Sequence, residues 1–216
     1  MKIDEVFKIL EQEFMKYRTP VVEEVGGDYF RVLISAMLSA RTRDEVTDKV
    51  CRKLFEKVKN FKDFEKLSLR EIERLIYGVG FYKNKARYLK RLSKLKEVPN
   101  SFEELMKING VGRKVANLVL SVGFGKDVVC VDTHVHRITN RWGFVKTKNV
   151  YETELELMKR LDRKYWKKIN RLLVAYGQNV CKPVRPLCSE CKIQSYCKRV
   201  GVKIIHYNYE KIKRLC

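Results

Sequence analysis

Apolar residues recur every three or four positions along most of the chain, the spacing that predicts amphipathic α-helices. Residues 3–17 form the first such stripe, and a strongly apolar helix is predicted over residues 29–38. Further helices are predicted from about residue 44 and over residues 82–95, 102–107, 113–123, 133–141, 150–161 and 164–176. No stretch shows the two-residue alternation of a half-buried strand, so the predicted fold class is all-α.

Three pairs of polar residues support the predicted helix starts. In each pair a Ser or Asn is followed three positions later by Glu, the spacing of a helix N-terminal capping pair. The pairs are Ser68 with Glu71, Ser101 with Glu104, and Asn149 with Glu152. We therefore expect a helix to begin just after the first residue of each pair.

The chain is strongly basic, with 47 Lys and Arg residues against 26 Asp and Glu residues and a formal net charge of +21. Such a surplus repels itself within a compact fold and is typical of proteins that bind a polyanion. Nucleic acid is the first candidate, and an acidic membrane surface is the alternative. No apolar run approaches the ~18 residues of a membrane-spanning helix, and no signal peptide is recognisable. We therefore expect a cytoplasmic, nucleoid-associated protein of prokaryotic type with no membrane partner.

A glycine-rich turn at residues 108–112 separates two of the predicted helices. Gly110 and Gly112 permit a tight turn and the close approach of another backbone. Free amides at the start of the following helix, near its positive dipole end, suit a phosphate oxygen. A plain interhelical turn is the alternative, but on so basic a chain the pattern favours a helix–hairpin–helix that grips DNA. The residues expected to contact DNA here are Gly110, Val111, Gly112 and Arg113.

Lys114 lies two positions after Gly112, in the first turn of the helix that follows. The ordinary interpretation is a solvated surface lysine. However, the helix dipole and the neighbouring Arg113 both oppose a second positive charge, so we expect the pKa of Lys114 to be lowered. Because a neutral lysine is a nucleophile, Lys114 is a candidate catalytic residue.

Asp132 follows an apolar run at residues 128–131 and precedes a predicted helix. An Asp in this position is commonly only a helix N-cap. The separation of 18 residues from Lys114 covers one helix and a return loop, so both side chains could face one cleft. A carboxylate there would stabilise positive charge on a sugar as its bond to a base breaks. His134 and His136 would diverge on a helix, so we do not interpret them as a metal-binding pair.

Four of the seven cysteines lie close together with the spacing C-x6-C-x2-C-x5-C, and they are Cys181, Cys188, Cys191 and Cys197. The other three, Cys51, Cys130 and Cys216, are scattered. Clustered thiolates bind metal, which fits an intracellular protein better than a secreted one held by disulfides. Structural zinc often uses two C-x2-C knuckles and only one occurs here, so the spacing favours a [4Fe–4S] cluster over zinc.

Together these motifs resemble the endonuclease III family of helix–hairpin–helix DNA glycosylases. The resemblance rests on GVGRKVAN at residues 110–117, VDTH at residues 131–134 and the cysteine spacing, and it extends over about residues 1–200. It implies that Lys114 attacks C1′ of the deoxyribose with help from Asp132, and that the four cysteines hold a [4Fe–4S] cluster. The implied function is base-excision repair of double-stranded DNA. A glycosylase with abasic-site (AP) lyase activity would remove damaged bases, oxidised or deaminated pyrimidines in particular, and nick the strand by β-elimination.

The resemblance also implies two α-helical lobes with a cleft between them. Residues 21–126 would form a helical barrel lobe that contains the helix–hairpin–helix. Residues 127–200, joined by the N-terminal helix at residues 1–20, would form the iron–sulfur lobe. The basic tail at residues 201–216 matches nothing recognisable. We expect the protein to be a monomer.

Two positions depart from the family pattern. Asn109 stands where Pro often precedes the first hairpin glycine, and Arg41 stands where Gln often fills the gap left by the flipped base. Arg41 is therefore expected to contact DNA beside the lesion, together with Phe81 as an apolar wedge. The alternatives are a buried, helix-terminal Phe81 and an Arg41 that only binds phosphate.

The substrate and the activity have alternatives as well. Guanine offers paired acceptors to an arginine, so Arg41 points to lesions opposite guanine. A mismatch-specific glycosylase acting on T or U opposite G is one alternative, and a noncatalytic DNA-binding protein is another. The presence of Lys114 argues against the first, and the presence of both Lys114 and Asp132 argues against the second.

Overall fold

The computed structural model describes residues 2–202, and over that range the chain is built from α-helices without a strand. This confirms the predicted all-α fold. The α-helices of the described range are α1 Ile3–Phe14, α2 Val21–Glu24, α3 Tyr29–Ser39, α4 Asp44–Lys57, α5 Asp63–Lys66, α6 Leu69–Leu75, α7 Tyr82–Arg91, α8 Phe102–Met106, α9 Arg113–Leu118, α10 Thr133–Trp142, α11 Val150–Arg160 and α12 Trp166–Asn179. Short 3₁₀ turns occur at Leu92–Lys94, Arg163–Tyr165 and Gln194–Tyr196, and a π-helical turn occurs at Val119–Gly123. Residues 203–216, most of the tail that the sequence sets apart, lie outside the described range.

The helices differ from the sequence predictions mainly at their ends. α1 ends at Phe14 instead of at residue 17, and the helix predicted over residues 82–95 gives way to a 3₁₀ turn after Arg91. The sequence does not predict α2 and α5, because four residues are too few to show a helical period. In this part of the chain no helix is long and apolar enough to cross a membrane.

The predicted capping pairs are confirmed. Ser68 accepts from the amide of Glu71, while the Glu71 carboxylate accepts from the amide of Ser68, which completes a capping box. Ser101 caps α8 and Asn149 caps α11 through the amides three residues further on. These bonds satisfy donors that every helix start leaves unpaired. The cap at Ser101 also fixes the short helix that leads into the glycine-rich turn.

Two hydrophobic cores organise the described residues. The first gathers side chains from α3, α4, α6, α7 and α9, with Leu33, Leu54 and Leu89 among the fully buried ones. The second gathers side chains from α1, α10, α11 and α12, with Phe7 and Tyr176 at its centre. The N-terminal helix therefore packs with the C-terminal half of the chain, although more than a hundred residues separate them.

The segment between the π-helical turn and α10 runs along the boundary of the two cores. Val129 packs into the second core and Cys130 into the first. Each is held by an asparagine, since Asn117 donates to the carbonyl of Val129 over 3.2 Å and Asn170 to that of Cys130 over 3.3 Å. The segment is thus fixed from both sides and delivers Asp132 to the start of α10.

Candidate active site

Lys114 and Asp132 come together where the two cores meet. Lys114 is the second residue of α9, and its Nζ lies 3.2 Å from Oδ2 of Asp132, the residue that caps α10. The side chain of Lys114 is 40% exposed, whereas that of Asp132 is only 8% exposed. The pair is therefore open to solvent on the lysine side and anchored in the protein on the aspartate side.

The Asp132 carboxylate uses its two oxygens for different partners. Oδ1 accepts from the amide of His134 over 2.8 Å and from that of Val135 over 3.0 Å. Oδ2 faces the ammonium of Lys114. A helix cap and an ion pair thus coexist in one residue, and the cap holds the carboxylate in place for the lysine.

The pKa of Lys114 is raised, so the prediction of a lowered value is wrong. Burial is the largest influence and lowers this pKa, but the nearby negative groups, Asp132 first among them, outweigh it. Arg113, which the sequence offered as a cause of lowering, is itself paired with Glu154. In this state Lys114 holds a proton that it must lose before it can act as a nucleophile.

The guanidinium of Arg113 is bound by other side chains of the protein, although the Arg113 side chain is 41% exposed. Its Nη2 lies 2.5 Å from Oε1 of Glu154, and its Cζ lies 4.7 Å from the ring centroids of both Phe102 and Tyr151. Phe102 belongs to α8, whereas Glu154 and Tyr151 belong to α11. The contact therefore ties the hairpin to a helix of the second core, so the predicted DNA contact of Arg113 would have to use its backbone amide.

The two glycines of the turn differ in their surroundings: Gly110 is packed against a side chain, whereas Gly112 faces open space. Gly110 has a left-handed backbone, with φ 87°, and a Cβ there would collide with the ring of Tyr88. Val111 is only 7% exposed, and its amide donates to the carbonyl of Ile108 over 3.0 Å. Around Gly112, by contrast, a Cβ would meet no atom within 4 Å. Gly112 therefore marks the side of the turn that another molecule can approach closely.

Arg41 and Phe81 stand side by side on two neighbouring turns. Cζ of Arg41 lies 5.4 Å from the centroid of the Phe81 ring. Both residues have left-handed backbone, with φ of 55° and 57°, a conformation that is strained for bulky residues and is often found at functional sites. Phe81 is 61% exposed, so the alternative of a buried Phe81 is wrong. The two residues form a single exposed pair.

Arg137 belongs to the site although the sequence analysis does not single it out. Its Nη2 lies 3.1 Å from Nδ1 of His134 and donates to the carbonyl of Cys181 over 2.8 Å. It thereby connects the helix that Asp132 caps to the first cysteine of the C-terminal loop. The sequence signal is weak, because only the spacing from His134 places it on the same helix face.

The four candidate metal ligands surround one cavity, and they are Cys181, Cys188, Cys191 and Cys197. Three of the sulfurs accept hydrogen bonds, from the Tyr176 hydroxyl over 3.2 Å and from Arg141 Nη1 and the Arg199 amide over 3.4 Å each. Burial raises the pKa of Cys191 and Cys197, and these hydrogen bonds offset part of that rise. Among residues 2–202 no three His, Cys, Asp or Glu side chains are grouped as ligands of a single ion. The four cysteines do line one cavity, the arrangement that a cluster with each cysteine on its own iron would require.

Comparison with known proteins shows which family and which solved structure this chain is similar to. Residues 34–163 match the family described as HhH-GPD superfamily base excision DNA repair protein. The chain is 46% identical over 177 residues to endonuclease III of Thermotoga maritima, covering 79% of this chain and 83% of that protein. It is 37% identical over 183 residues to endonuclease III of Bacillus subtilis, with coverage of 82% and 84%. The solved structure of a trapped endonuclease III–DNA covalent intermediate matches with a TM-score of 0.82 at 34% identity, over 92% of this chain and 95% of that chain.

Proposed function

The chain belongs to the HhH-GPD superfamily of base excision DNA repair proteins and is a DNA glycosylase and AP lyase of the endonuclease III type, and we propose that Lys114 and Asp132 carry out both reactions. The observation that carries this proposal is the 3.2 Å contact between Lys114 Nζ and Asp132 Oδ2. The similar endonuclease III captured as a covalent DNA intermediate supports a covalent route.

In the proposed reaction, Lys114 loses its proton and the free amine attacks C1′ of the damaged nucleotide. The glycosidic C1′–N bond breaks, and the base leaves with the bonding electrons and takes up a proton. Asp132 stabilises the positive charge that develops on the sugar, because its carboxylate is already fixed and needs no reorganisation. The sugar ring then opens to a Schiff base. Loss of a proton from C2′ breaks the C3′–O bond by β-elimination and nicks the strand.

The proposed substrate is double-stranded DNA that contains an oxidised or deaminated pyrimidine. The damaged base must leave the stack to reach Lys114, and the exposed pair of Arg41 and Phe81 would occupy the gap. The guanidinium of Arg41 suits the paired acceptors of guanine. This feature keeps the excision of T or U opposite G as the second candidate function.

The proposed grip on the DNA backbone lies at the open side of the hairpin. Gly112 lets a phosphate approach the first amides of α9, whose dipole favours an anion there. The charge of +21 adds attraction that does not depend on sequence. Phosphate contacts of this kind fix the position of the duplex without selecting a base.

The C-terminal cysteines would hold a [4Fe–4S] cluster through Cys181, Cys188, Cys191 and Cys197. When bound, such a cluster fixes its loop and supplies a redox-active centre whose potential depends on hydrogen bonds to the sulfurs. The proposed base removal and strand cleavage use only residues of the protein. Arg137 gives the loop a direct link to the start of α10, through its bonds to Cys181 and its contact with His134.

A panel of duplexes with oxidised, deaminated and mismatched bases, incubated with borohydride, tests the proposal. The wild type should form a reduced covalent DNA adduct on its preferred lesion, and Lys114→Ala should abolish both adduct and strand cleavage. The matched control is Lys159→Ala, which removes an exposed lysine of α11 whose Nζ pairs with Glu156 at 3.3 Å. Full trapping by Lys114→Ala would contradict the role of Lys114.

A further inference from the structure

Lys85 of α7 is a buried lysine whose partners are all oxygens of one distant turn. It is 8% exposed. Its Nζ donates to the carbonyls of Leu38 over 2.8 Å and Ala40 over 2.6 Å, and to Oγ1 of Thr42 over 3.4 Å. These three acceptors bracket Arg41, so the ammonium holds the segment that carries one member of the exposed pair.

The same contact reaches the other member of the pair through Thr42. Oγ1 of Thr42 accepts from the amide of Gly80 over 3.1 Å. A Cβ at Gly80 would collide with the carbonyl of Arg41, so the two turns are in direct backbone contact there. Lys85, Thr42 and Gly80 therefore lock together the turns on which Arg41 and Phe81 stand.

We propose that Lys85 is a positioning residue that holds Arg41 and Phe81 in the geometry needed to enter the duplex. Lys85 itself touches neither the DNA nor the reacting atoms. The inference rests on the proposed role of the exposed pair in filling the gap left by the flipped base. It adds a residue that determines how well the enzyme keeps a duplex open.

The proposal has a pH signature because burial lowers the pKa of Lys85 to about 8. An ammonium has three donors for its three acceptors, whereas a neutral amine has two. One bond to the turn is therefore lost as the pH rises past about 8. Burial is the only resolved cause of this shift. The charged and titratable residues around Lys85 on its own helix and on the turn that it binds are Arg41, Arg43, Asp44, Tyr82, Lys83 and Arg87. Those of α6, which packs against α7, are Arg70, Glu71, Glu73 and Arg74.

The lost hydrogen bond of Lys85 can be distinguished from unfolding by the direction in which folding stability changes with pH. The pKa of Lys85 is lower in the folded protein than its ordinary 10.5. Between these two values the unfolded chain binds more protons, so this group makes the folded state more stable as the pH rises. A loss of duplex opening over that interval is therefore a local effect on the turn.

The test compares Lys85→Met with Lys90→Met in the full chain. Lys90 lies five residues further along α7, and its Nζ also donates to three carbonyls, those of Phe64, Glu65 and Leu67 at 2.9, 3.1 and 2.7 Å. Single-turnover strand cleavage is measured on one abasic site in a duplex and in the same single strand. A single strand needs no gap to be held open, so the duplex-to-single-strand ratio of rates reports positioning alone.

We expect Lys85→Met to lower this ratio about tenfold, as for loss of a buried hydrogen-bond donor, and Lys90→Met to leave it unchanged. The wild-type ratio should fall between pH 7 and pH 9 with a midpoint near the pKa of about 8, and Lys85→Met should abolish this dependence. Equal ratios for the two variants, or a wild-type ratio that is flat with pH, would overturn the proposal.

Three further variants make each possible outcome decisive. If Lys85→Met does not fold, Thr42→Val removes the hydroxyl that joins Lys85 to Gly80 and should lower the ratio as well; an unchanged ratio would overturn the proposal. Arg41→Ala and Phe81→Ala test the gap-filling role itself. If both leave the ratio unchanged, that role fails. If they lower it while Lys85→Met does not, only the positioning role of Lys85 fails.

Discussion

Nζ of Lys114 and Oδ2 of Asp132 lie 3.2 Å apart, and each residue stands at the start of a helix. The positive ends of two helix dipoles therefore meet at this ion pair. They favour the carboxylate, and the carboxylate in turn keeps a proton on Lys114, whose pKa is raised. Under the proposed mechanism, the resting enzyme holds Lys114 in the protonated, unreactive form, and Lys114 must lose this proton before it attacks the sugar.

Asp132→Asn should separate the chemistry from the fold. An Asn oxygen can still accept from the amides of His134 and Val135, so the cap survives while the charge is lost. We predict unchanged affinity for intact duplex and a single-turnover rate lower by about 10²–10³. Asp132→Ala, as control, should lose about 1 kcal/mol of stability in addition, because it removes the cap. An Asn variant as fast as wild type would contradict the electrostatic role of Asp132.

The same substitution should lower the pKa of Lys114. Burial is already the largest single influence and favours the neutral amine, and without Asp132 it loses its main opponent. NMR titration of isotope-labelled lysine methylene groups should show the raised pKa in wild type and a value below the ordinary 10.5 in the variant. In wild type, the ion pair should add to folding stability at neutral pH. This contribution disappears as the pH rises through the raised pKa.

Cys188→Ser should remove the metal and disorder the C-terminal loop. We predict that anaerobically purified wild type is brown and carries about four irons per chain, the content of a cubane held by four cysteines. The variant should lose the colour and bind DNA more weakly while Lys114 is intact, because the loop carries basic residues such as Lys182, Arg185 and Lys192. Colourless wild type with one zinc would refute the [4Fe–4S] assignment.

Arg113→Met should weaken the fold without changing the salt dependence of DNA binding. It leaves the carboxylate of Glu154 unpaired, which costs about 1–3 kcal/mol for a buried acceptor. Denaturant unfolding measures this loss, and the double variant with Glu154→Gln should cost less than the two single variants added together. If Arg113 neutralised a phosphate, the slope of log affinity against log salt would change by about 0.9.

Local patterns in the sequence predict those parts of the structure whose causes are local. The amphipathic stripes and the pair of Ser68 with Glu71 depend on residues a few positions apart, so the helices and caps agree with the prediction. The exceptions are the ends of the helices predicted over residues 82–95 and 113–123, which become a 3₁₀ turn and a π-helical turn. The contact between Lys114 and Asp132 could also be predicted from the sequence, because one helix and a return loop between them allow few arrangements. The motif of residues 110–117 supported the family resemblance, from which the expected roles of the two residues follow.

The sequence does not predict those side-chain contacts whose partners lie far apart along the chain. The raised pKa of Lys114 depends chiefly on Asp132, which the local argument from the helix dipole and Arg113 left out. Arg113 is itself paired with Glu154, 41 positions away. The role of Lys85 depends on carbonyls 45 and 47 positions away. Backbone carbonyls are present at every residue, so no sequence pattern could mark these as its partners.

The two hairpin glycines should respond differently to substitution. Gly112→Ala should fold normally, since its backbone is extended and its surroundings are open, but it should weaken binding to damaged and intact duplexes alike. Gly110→Ala should lose about 1–3 kcal/mol of stability, because its left-handed backbone is strained with a Cβ and Tyr88 occupies the space. Fluorescence anisotropy and thermal unfolding distinguish the two. A loss confined to one lesion would mean that the hairpin touches the base.

Arg41→Ala should weaken the enzyme most when guanine stands opposite the lesion. Unstacking a base costs a few kcal/mol, and Arg41 can offset part of this cost by donating to the bases that the flipped nucleotide leaves behind. The orphaned guanine turns its O6 acceptor towards the gap and carries N7 beside it on the major-groove edge. A bidentate contact of arginine with these two atoms is worth about 1–3 kcal/mol of discrimination. The measurement places one damaged pyrimidine opposite each of the four bases and compares single-turnover rates for wild type, Arg41→Ala and Phe81→Ala. Phe81→Ala is the matched control, because a phenyl ring in the gap would make no hydrogen bond and its removal should slow cleavage of all four duplexes equally. If Arg41→Ala also slows all four equally, Arg41 only anchors the duplex by charge, and recognition of an opposite guanine is ruled out as its role.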